Sequence, residues 1–432
     1  MVDITILYYA ALKLCSFHGE EIAMRRQELE RVAYDILLGN LRRGTAEWNG
    51  QDYSFVVPSL TGYPFQWFWD SCFHAIALTH IDHDQAKSEL DTLMSAALPN
   101  GFIPHIIFWE SEKRDYFLDQ NLVATINPNF SCTIQPPILA YAVERVYQAT
   151  SDEAFRERSL PVLVNYYRWL KENRDPDNDG LLSIIQPEEA GTDCSPKYDE
   201  ILGLTDLSNQ GFIKALNKIY SAYELIRSDD LRMLDANVFH VEDVLVNSIY
   251  ALSLQSLARL LGNTPESIIF QDEASRTIES LLNKCWDAGT EAFLDLNGVQ
   301  EIPNSMVTIS SLMPIILQDI PSDKVKRLVD KWIISEDQFW LPYPLPSVPA
   351  SNPKFMPGNP QGFIWRGPSW INTNWFITKG LRLHGYHQLA DDISSKSLAC
   401  VEQSGFREYY NPYTGEGLGA KNFGWSTLIL DM

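Results

Sequence analysis

The chain has 432 residues, of which 45% are hydrophobic and 21% are charged, a composition typical of a soluble protein with a large core rather than of a disordered chain. Acidic residues outnumber basic ones by 56 to 34, giving a formal net charge of −22. A field of this sign repels phosphate groups, so it argues against nucleic acid and anionic membrane surfaces as partners, but not against a small substrate.

The beginning of the chain differs from the rest. Residues 1–23 are mildly apolar, carry Asp3 where a signal peptide has positive charge, and match the remaining sequence poorly. We expect a poorly defined extension there, with Met24 as a candidate natural start. No run of eighteen apolar residues predicts a transmembrane helix. Six scattered cysteines without a Cys-x-x-Cys pair predict neither a zinc site nor a disulfide scaffold, which favours a cytoplasmic location.

From residue 24 onward, helical periodicity dominates the hydrophobic pattern. Two strand signals interrupt it, at "QDYSFVV" (51–57) and "LLSII" (181–185). In chain order, the predicted helices lie at about 24–42, 70–81, 84–96, 134–149, 161–173, 208–227, 241–262, 268–285, 306–318, 322–334, 368–384 and 387–403.

Capping residues mark several predicted helix boundaries. Thr264 is a predicted N-cap with Pro265 in the first turn behind it, and Gly262 ends the preceding helix. Thr150 and Glu153 match a capping box at the start of another helix.

The arrangement of the helices follows from where the unusual residues lie. No Gly-, Pro- or Ser-rich linker divides the chain, so residues 24–432 are predicted to form a single domain. Successive helices without a repeated helix-pair sequence fit a bundle, a solenoid or a closed double ring. Rare residue combinations concentrate in five connections, at 63–71, 104–110, 186–199, 361–370 and 406–425. In a ring, one set of connections converges on the axis, which favours the ring.

Two segments combine carboxylates with an unusual setting. "QPEEAGTDCSPKYDE" (186–200) holds five carboxylates, and a solvated acidic loop is its alternative interpretation. "GFREYYNPYTGEGLGAKNFGWS" (405–426) places Glu408 and Glu416 among tyrosines and glycines. Glycoside hydrolysis requires two carboxyl groups, one kept protonated by an apolar setting and one ionised to activate water or attack carbon. Tryptophan faces suit the stacking of a sugar ring.

Five motifs occur in a fixed order: "FQWFWDSCFHAIAL", "TIQPP", "GTDCSPKYD", "WRGPSWINTNW" and "EYYNPYTGEGLGAKNFGWS". Together they resemble glycoside hydrolase family 63, above all its short members, the mannosylglycerate and glucosylglycerate hydrolases. The resemblance covers the chain from about residue 30 to the end. It implies an all-α (α/α)6 barrel, a toroid of six helical hairpins with functional loops and short strands at one end. It also implies an inverting mechanism that requires no cofactor.

The resemblance assigns roles to individual residues. It makes Asp193 the general acid and Glu408 the general base, with Glu416 as a weaker rival base. Asp70 would bind sugar hydroxyls, and a helix N-cap is its alternative role. The other residues expected to bind the cleaved sugar are Trp67, Trp69, Gln135, Trp370, Asn374 and Trp375.

One departure from the family pattern concerns the leaving group. Family members commonly read S-P-R-W-D where this chain has Lys197 and Tyr198, which keep the charge and the ring but lose the bidentate fork of arginine. We expect both residues to contact substrate, with Arg366 as a further anion contact. If the arginine of relatives grips glycerate, this chain binds a different or neutral leaving group.

A metal site is the remaining candidate. Asp175, Asp177 and Asp179 in "DPDNDGLL" match the first ligands of a calcium loop, but Gln186 stands where a bidentate Glu is needed. A complete EF-hand is therefore excluded, and a metal-free turn is favoured over a structural calcium closed by a distant carboxylate.

The predicted function is hydrolysis of a short α-glucoside or α-mannoside, such as glucosylglycerate or mannosylglycerate. The expected partner is a small carbohydrate, not nucleic acid or membrane, and the sequence carries no signal of an oligomeric state. The alternatives are a trehalase-like or oligosaccharide α-glucosidase, a catalytically silent sugar-binding protein and a helical scaffold, although no helix-pair repeat supports the last.

Overall fold

The computed structural model describes residues 26–110, 114, 125–127, 129–224, 230–358 and 364–432. The predicted extension over residues 1–23 lies outside this part of the chain. Helices dominate the described residues and the strands are short, so the predicted helix-rich architecture is confirmed.

The helices follow one another along the chain, separated by connections of varied length. They are α1 (26–39), α2 (Phe68–Leu78), α3 (His83–Ser95), α4 (Leu139–Thr150), α5 (Glu153–Arg174), α6 (Asn209–Glu224), α7 (Asp230–Asp235), α8 (Val244–Leu261), α9 (Pro265–Ser280), α10 (Ser322–Leu328), α11 (Ile371–Leu383) and α12 (His387–Ser404). Short 3₁₀ segments cover Pro187–Ala190, Pro196–Tyr198, Ile309–Ile316 and Gly424–Asp431, and π-helical turns cover Leu281–Cys285 and Val329–Ile333.

The strands form small antiparallel sheets between the helices. Two hairpins pair β1 (Leu41–Thr45) with β2 (Asp52–Val56) and β9 (Trp286–Asp287) with β10 (Ala292–Phe293). One four-stranded sheet has the order β3 (Gln66–Trp67), β4 (Ile106–Ile107), β6 (Phe130–Ser131), β5 (Thr125–Asn127). Another has the order β12 (Ile302–Pro303), β11 (Leu296–Asn297), β8 (Val241–Glu242), β7 (Ser183–Ile184). The last hairpin pairs β13 (Arg407–Tyr410) with β14 (Gly417–Lys421).

Capping residues confirm two of the predicted helix boundaries. Thr264 caps α9 and accepts a hydrogen bond from the backbone N–H of Ser267, with Pro265 behind it, and Gly262 ends α8, as predicted. The predicted capping box at Thr150 is wrong. Thr150 is the last residue of α4, and the cap of α5 is Asp152, whose carboxylate accepts from Phe155 N–H.

One large hydrophobic cluster extends from Ala33 to Leu430 and includes the buried faces of α2, α8 and α11. Helix α8 is long and apolar enough to cross a membrane, yet 78% of it is buried inside the protein, which is the environment of a core helix. The five cysteines in the described residues are all free.

The segment Gly424–Asp431 closes this core against α2. Asp431 is buried and accepts hydrogen bonds from Trp375 Nε1 at 2.8 Å and Arg145 at 2.7 Å, and its carboxylate also contacts His80 and Lys379. Burial alone would raise the pKa of Asp431, but the His80 hydrogen bond and the positive charges of Lys379 and Arg145 lower it overall. The carboxylate therefore stays ionised and joins α2, α4 and α11 to this segment.

Candidate active site

A cavity of about 430 Å³ opens among the connections between the helices. All five connections singled out in the sequence contribute to its wall, and α6 adds one helical face. The lining residues are Gly62, Tyr63, Trp67, Trp69, Asp70, His105, Ile106, Thr133, Gln135, Glu188, Gly191, Asp193, Cys194, Phe212, Ile213, Leu216, Tyr220, Ile364, Trp365, Trp370, Glu408, Phe423 and Trp425. Asp193 and Glu408 therefore share one cavity.

Glu408 lies on β13 and is held from both sides of its carboxylate. Oε1 accepts a hydrogen bond from the Tyr63 hydroxyl at 2.9 Å, and Oε2 accepts from the backbone N–H of Ala420 at 2.8 Å. The pKa of Glu408 lies above its usual value because the effect of burial exceeds that of these two hydrogen bonds, which lower the pKa and favour the ionised form. The opposing effects suit a carboxylate that must be ionised to accept a proton from water.

The hairpin that carries Glu408 depends on a glycine in the opposite strand. Gly419 has a φ of +64°, and a Cβ there would collide with Oε2 of Glu408. The indole N–H of Trp425 donates to the main-chain oxygen of Glu408 at 3.0 Å. Backbone and side chain are therefore both fixed before any ligand binds.

Asp193 lies between two 3₁₀ turns, Pro187–Ala190 and Pro196–Tyr198, and is only partly buried. Its pKa lies well above the usual value because of burial first and the negative charge of Glu188 second, with Glu408 contributing as well. A raised pKa favours the protonated form, which is the form that a general acid needs.

Asp70 is the third residue of α2, and the N-cap of that helix is Trp67. The alternative role of Asp70 as N-cap is therefore wrong, because the helix begins two residues before it. Oδ1 of Asp70 is buried without a hydrogen-bond partner among the described residues. Burial and the charges of Glu408, Glu89 and Asp193 hold its pKa well above the usual value, against a backbone hydrogen bond that lowers it.

Aromatic rings form much of the wall. Trp69 meets Trp425 edge to face, with ring centroids 5.7 Å apart. Trp365 stacks face to face on Trp370 with centroids 3.8 Å apart. Gly191 allows the close approach of the Trp69 ring, because a Cβ at Gly191 would overlap it.

Several buried polar atoms of the wall have no partner within the described structure. Besides Asp70 Oδ1, they include His105 Nε2 and Trp370 Nε1. Burial lowers the pKa of His105 to about 3, so its ring is neutral. Unpartnered buried polar groups are costly, and a ligand rich in hydroxyl groups would satisfy them.

Gln135 lines the cavity and also supports a neighbouring element. Its side-chain oxygen accepts a hydrogen bond from the backbone N–H of Trp69 at 2.9 Å, which ties the Gln-Pro-Pro segment to the start of α2. Trp67, Trp69, Asp70, Gln135 and Trp370, all expected from the sequence, thus lie in the cavity wall.

Lys197 and Tyr198 were expected from the sequence to contact substrate. Neither residue lines the cavity. Lys197 Nζ is fully buried and lies 2.6 Å from Asp243 and 2.9 Å from Asp295, and the Tyr198 hydroxyl donates to Asp243 at 2.6 Å. Their polar groups therefore belong to an internal cluster with Asp243 and Asp295. Asp243 also caps α8.

Three further expected contacts, Arg366, Asn374 and Trp375, also lie outside the cavity wall. Arg366 forms a bidentate ion pair with Asp199. The Asn374 side chain bonds to backbone groups of Leu345 and Pro344, and Trp375 donates to Asp431. Each side chain braces the scaffold.

The rival base lies at the surface. Glu416 is exposed at the turn of the β13–β14 hairpin and does not line the cavity.

Other wall residues were not assigned from the sequence. Tyr63 lies outside the five motifs, and Trp365 begins the motif "WRGPSWINTNW" but was given no role, although both residues lie in the highlighted connections. The contribution of α6 was missed because its apolar positions resemble an ordinary core face. The residues of that face in the cavity are Phe212, Ile213, Leu216 and Tyr220.

The predicted calcium ligands are only partly brought together. Oxygens of Asp177 and Asp179 lie within 4.8 Å of those of Glu242 and Glu301. Asp175 instead accepts from the backbone N–H groups of Asp179 and Gly180. Lys284 Nζ contacts Asp179 at 2.6 Å, so a cation side chain already reaches the group. The donor oxygens fit calcium chemistry, but they are not the predicted set, and the metal-free turn stays the favoured prediction over a structural calcium.

Comparisons with known proteins identify the family to which the chain is similar. The family model for the mannosylglycerate hydrolase MGH1-like glycoside hydrolase domain matches residues 63–426. The mannosylglycerate hydrolase of Thermus thermophilus is 32% identical over 410 residues, covering 87% of this chain and 95% of the relative. The glucosylglycerate hydrolase of Mycolicibacterium hassiacum is 27% identical over 414 residues, covering 85% and 92%.

A solved structure of the same family is also similar to this chain. The crystal structure of a family 63 mannosylglycerate hydrolase from Thermus thermophilus, in complex with Tris and D-glycerate, has a TM-score of 0.81 at 30% identity. The match covers 93% of this chain and 99% of that one.

Proposed function

The chain belongs to the MGH1-like glycoside hydrolases of family 63, and from this membership we propose that it is an inverting α-glycosidase. Its proposed substrate is a short α-glucoside or α-mannoside, of the class that contains glucosylglycerate and mannosylglycerate. The observation that carries the proposal is the shared cavity, in which Asp193 and Glu408 face a wall of tryptophans.

In the proposed reaction, Asp193 donates its proton to the glycosidic oxygen as the bond to the anomeric carbon breaks. Glu408 accepts a proton from the water molecule that attacks this carbon from the opposite face. The products are the free sugar with inverted anomeric configuration and the leaving group as an alcohol. Asp70, His105 and Trp370 offer unpartnered polar atoms to the hydroxyls of the cleaved sugar.

We further propose that the helices form an (α/α)6 barrel and that the protein acts in the cytoplasm. The succession of helices with its site in the connections supports the barrel, as does the structural similarity to family 63 enzymes. The five free cysteines support the location, because a reducing compartment keeps thiols free.

The test is a panel of α-glycosides with NMR detection of the anomer first released. The panel contains glucosylglycerate, mannosylglycerate, glucosylglycerol, trehalose, kojibiose and nigerose. We expect hydrolysis of a glycoside with a short leaving group, with β-sugar as the first product. First release of the α-anomer would contradict inversion, and turnover of trehalose alone would favour the trehalase-like alternative.

The Asp193→Asn and Glu408→Gln variants test the two roles. Each should lose about 10² to 10⁴-fold in kcat, the usual contribution of a general acid or base, with little change in Tm. Glu416→Gln is the matched control and should retain activity. Near-normal turnover by either variant would refute that assignment. Sugar binding by the wild type without release from any glycoside would favour a silent binding protein.

A further inference from the structure

Glu188 is one of four carboxylates in the cavity wall, and the proposed mechanism gives it no role. It lies in the turn Pro187–Ala190, lines the cavity and accepts a hydrogen bond from the Tyr220 hydroxyl at 3.1 Å. The adjacent Glu189 has a different environment. It is buried, pairs with Arg174 at 2.6 Å and accepts from the backbone N–H of Ile134. Glu189 thus braces the loop, while Glu188 faces the cavity.

Glu188 lies five residues before the proposed acid Asp193 in the same connection, and both residues line the cavity. A general acid must be next to the leaving oxygen, and the charge of Glu188 influences Asp193 more than the charge of Glu408 does. Tyr220 belongs to α6, whose cavity face also includes Phe212 and Leu216. This side of the cavity therefore combines an apolar helix face with one carboxylate and one phenol.

The charge of the wall disfavours an anion on this side. Its carboxylates are Asp70, Glu188, Asp193 and Glu408, and among the described residues no lysine or arginine lines the cavity. The two cations expected to bind an anionic leaving group are engaged elsewhere. Lys197 pairs with Asp243 and Asp295, and Arg366 pairs with Asp199.

We propose that Glu188 and Tyr220 form the polar part of the leaving-group subsite, and that Glu188 selects an uncharged, hydroxyl-bearing leaving group over one that carries a carboxylate. This inference rests on the proposed function. A carboxylate accepts hydrogen bonds from the hydroxyls of a polyol such as glycerol, but it repels the carboxylate of glycerate.

The pH dependence of substrate preference tests the proposal. Burial raises the pKa of Glu188 to about 7, against the Tyr220 hydrogen bond that lowers it. The measured quantity is the ratio of kcat/KM for glucosylglycerol to kcat/KM for glucosylglycerate, from pH 5.5 to 8.5. Because both substrates share the sugar and the catalytic pair, those titrations cancel in the ratio. We expect the ratio to rise about five- to tenfold through neutral pH as Glu188 ionises, the size of one solvent-weakened charge repulsion.

The Glu188→Gln variant should make this ratio independent of pH and lower it at pH 8. Glu200→Gln, an exposed position on the same loop, is the matched control and should behave as the wild type. A flat wild-type ratio, or one that favours glucosylglycerate at pH 8, would overturn the proposal.

Failure of the proposed function is a separate outcome. If the wild type hydrolyses neither glycoside, isothermal titration calorimetry measures its affinity for each of them at pH 6 and pH 8. The ratio of the two affinities then replaces the ratio of kcat/KM. The wild type should then prefer glucosylglycerol more strongly at pH 8, and Glu188→Gln should not. Equal affinities at both pH values would overturn the selectivity without reference to catalysis.

Discussion

At the scale of single residues, the basicity of Glu408 depends on Tyr63. The Tyr63 hydroxyl and the Ala420 amide stabilise the ionised carboxylate of Glu408, which burial opposes. Each hydrogen bond to the charged form favours ionisation. These donors therefore limit the rise in the pKa of Glu408 that burial causes.

Replacing Tyr63 by Phe should move the acidic limb of the pH profile of kcat/KM to higher pH. In the wild type, the hydrogen bond from Tyr63 lowers the pKa of Glu408. Removing this bond raises that pKa, so the carboxylate ionises only at higher pH. The measurement is kcat/KM from pH 4 to 8. Tyr413→Phe, at an exposed tyrosine, is the control, and an unshifted acidic limb in Tyr63→Phe would contradict the role given to Tyr63.

Gly419 allows a prediction with an internal control. Gly419→Ala should lose about 10²-fold or more in kcat/KM, because the added Cβ displaces the carboxylate of Glu408 and small misplacements cost this much. Gly405→Ala has a similar positive φ of +73° but meets nothing within 4 Å. Both variants should lose about 1 kcal/mol of stability, measured by urea unfolding. Equal activity of the two would show that Glu408 is not held by this contact.

The motifs in the sequence correctly predicted several residues of the cavity wall. They did not show which residues of a motif instead pack inside the protein. Asp193 and Lys197 lie four positions apart in one motif, yet only Asp193 lines the cavity. A motif records which residues occur together but not which way each side chain points. Lys197 turns inward because two buried aspartates, distant in sequence, bind its ammonium group.

At the scale of elements, Lys197 links three pieces of the chain. Its ammonium group contacts Asp243 at the start of α8, Asp295 before β11, and the hydroxyl of Ser310 in the segment Ile309–Ile316. All of these groups are buried. The cluster holds the turn that follows Asp193 against the end of a core helix.

Replacing Lys197 by Met should lower the free energy of unfolding by about 3 to 5 kcal/mol, the usual cost of leaving buried charges unpaired. The measurement is urea unfolding at pH 7, alongside KM. Lys354→Met should cost less than about 1 kcal/mol, because Asp199 retains its ion pair with Arg366. A native-like stability with a KM raised more than tenfold would restore the substrate contact expected from the sequence.

Element boundaries were predictable where a single residue sets them. Thr264 and Gly262 set their boundaries as predicted. The predicted cap Thr150 is instead the last residue of α4, and Asp152 caps α5. The predicted helix at about 306–318 is a 3₁₀ segment over Ile309–Ile316, with Pro314 inside it. Hydrophobic spacing identifies a buried helical segment but does not distinguish these two helix types.

At the scale of the whole molecule, buried acids make stability depend on pH. Burial, together with the charges of Asp179, Glu301 and Asp177, raises the pKa of Glu242 from 4.5 to about 9. The folded protein therefore keeps a proton that the unfolded chain releases. This contribution is fully present below about pH 4.5 and is lost as pH rises to about 9, at about 1.4 kcal/mol per pH unit.

The Glu242→Gln variant should reduce this loss of stability between pH 6 and pH 9. Urea unfolding at four pH values in the presence of a chelator measures it, with Glu200→Gln as the control. Added calcium should flatten the wild-type slope only if a cation binds this group, because a cation stabilises the ionised form. Identical slopes in wild type and Glu242→Gln would contradict the burial of a protonated Glu242.

The contact between Gly424–Asp431 and α2 also constrains how the protein is made. Helix α2 emerges early during synthesis, while the partner that covers it, including Trp425 of the cavity wall and Asp431, emerges long afterwards. Until then, the apolar face of α2 has no native cover and is open to chaperones or to association with other nascent chains. The cavity wall at Trp425 is therefore completed only after residues 424–431 have been synthesised and have packed against α2.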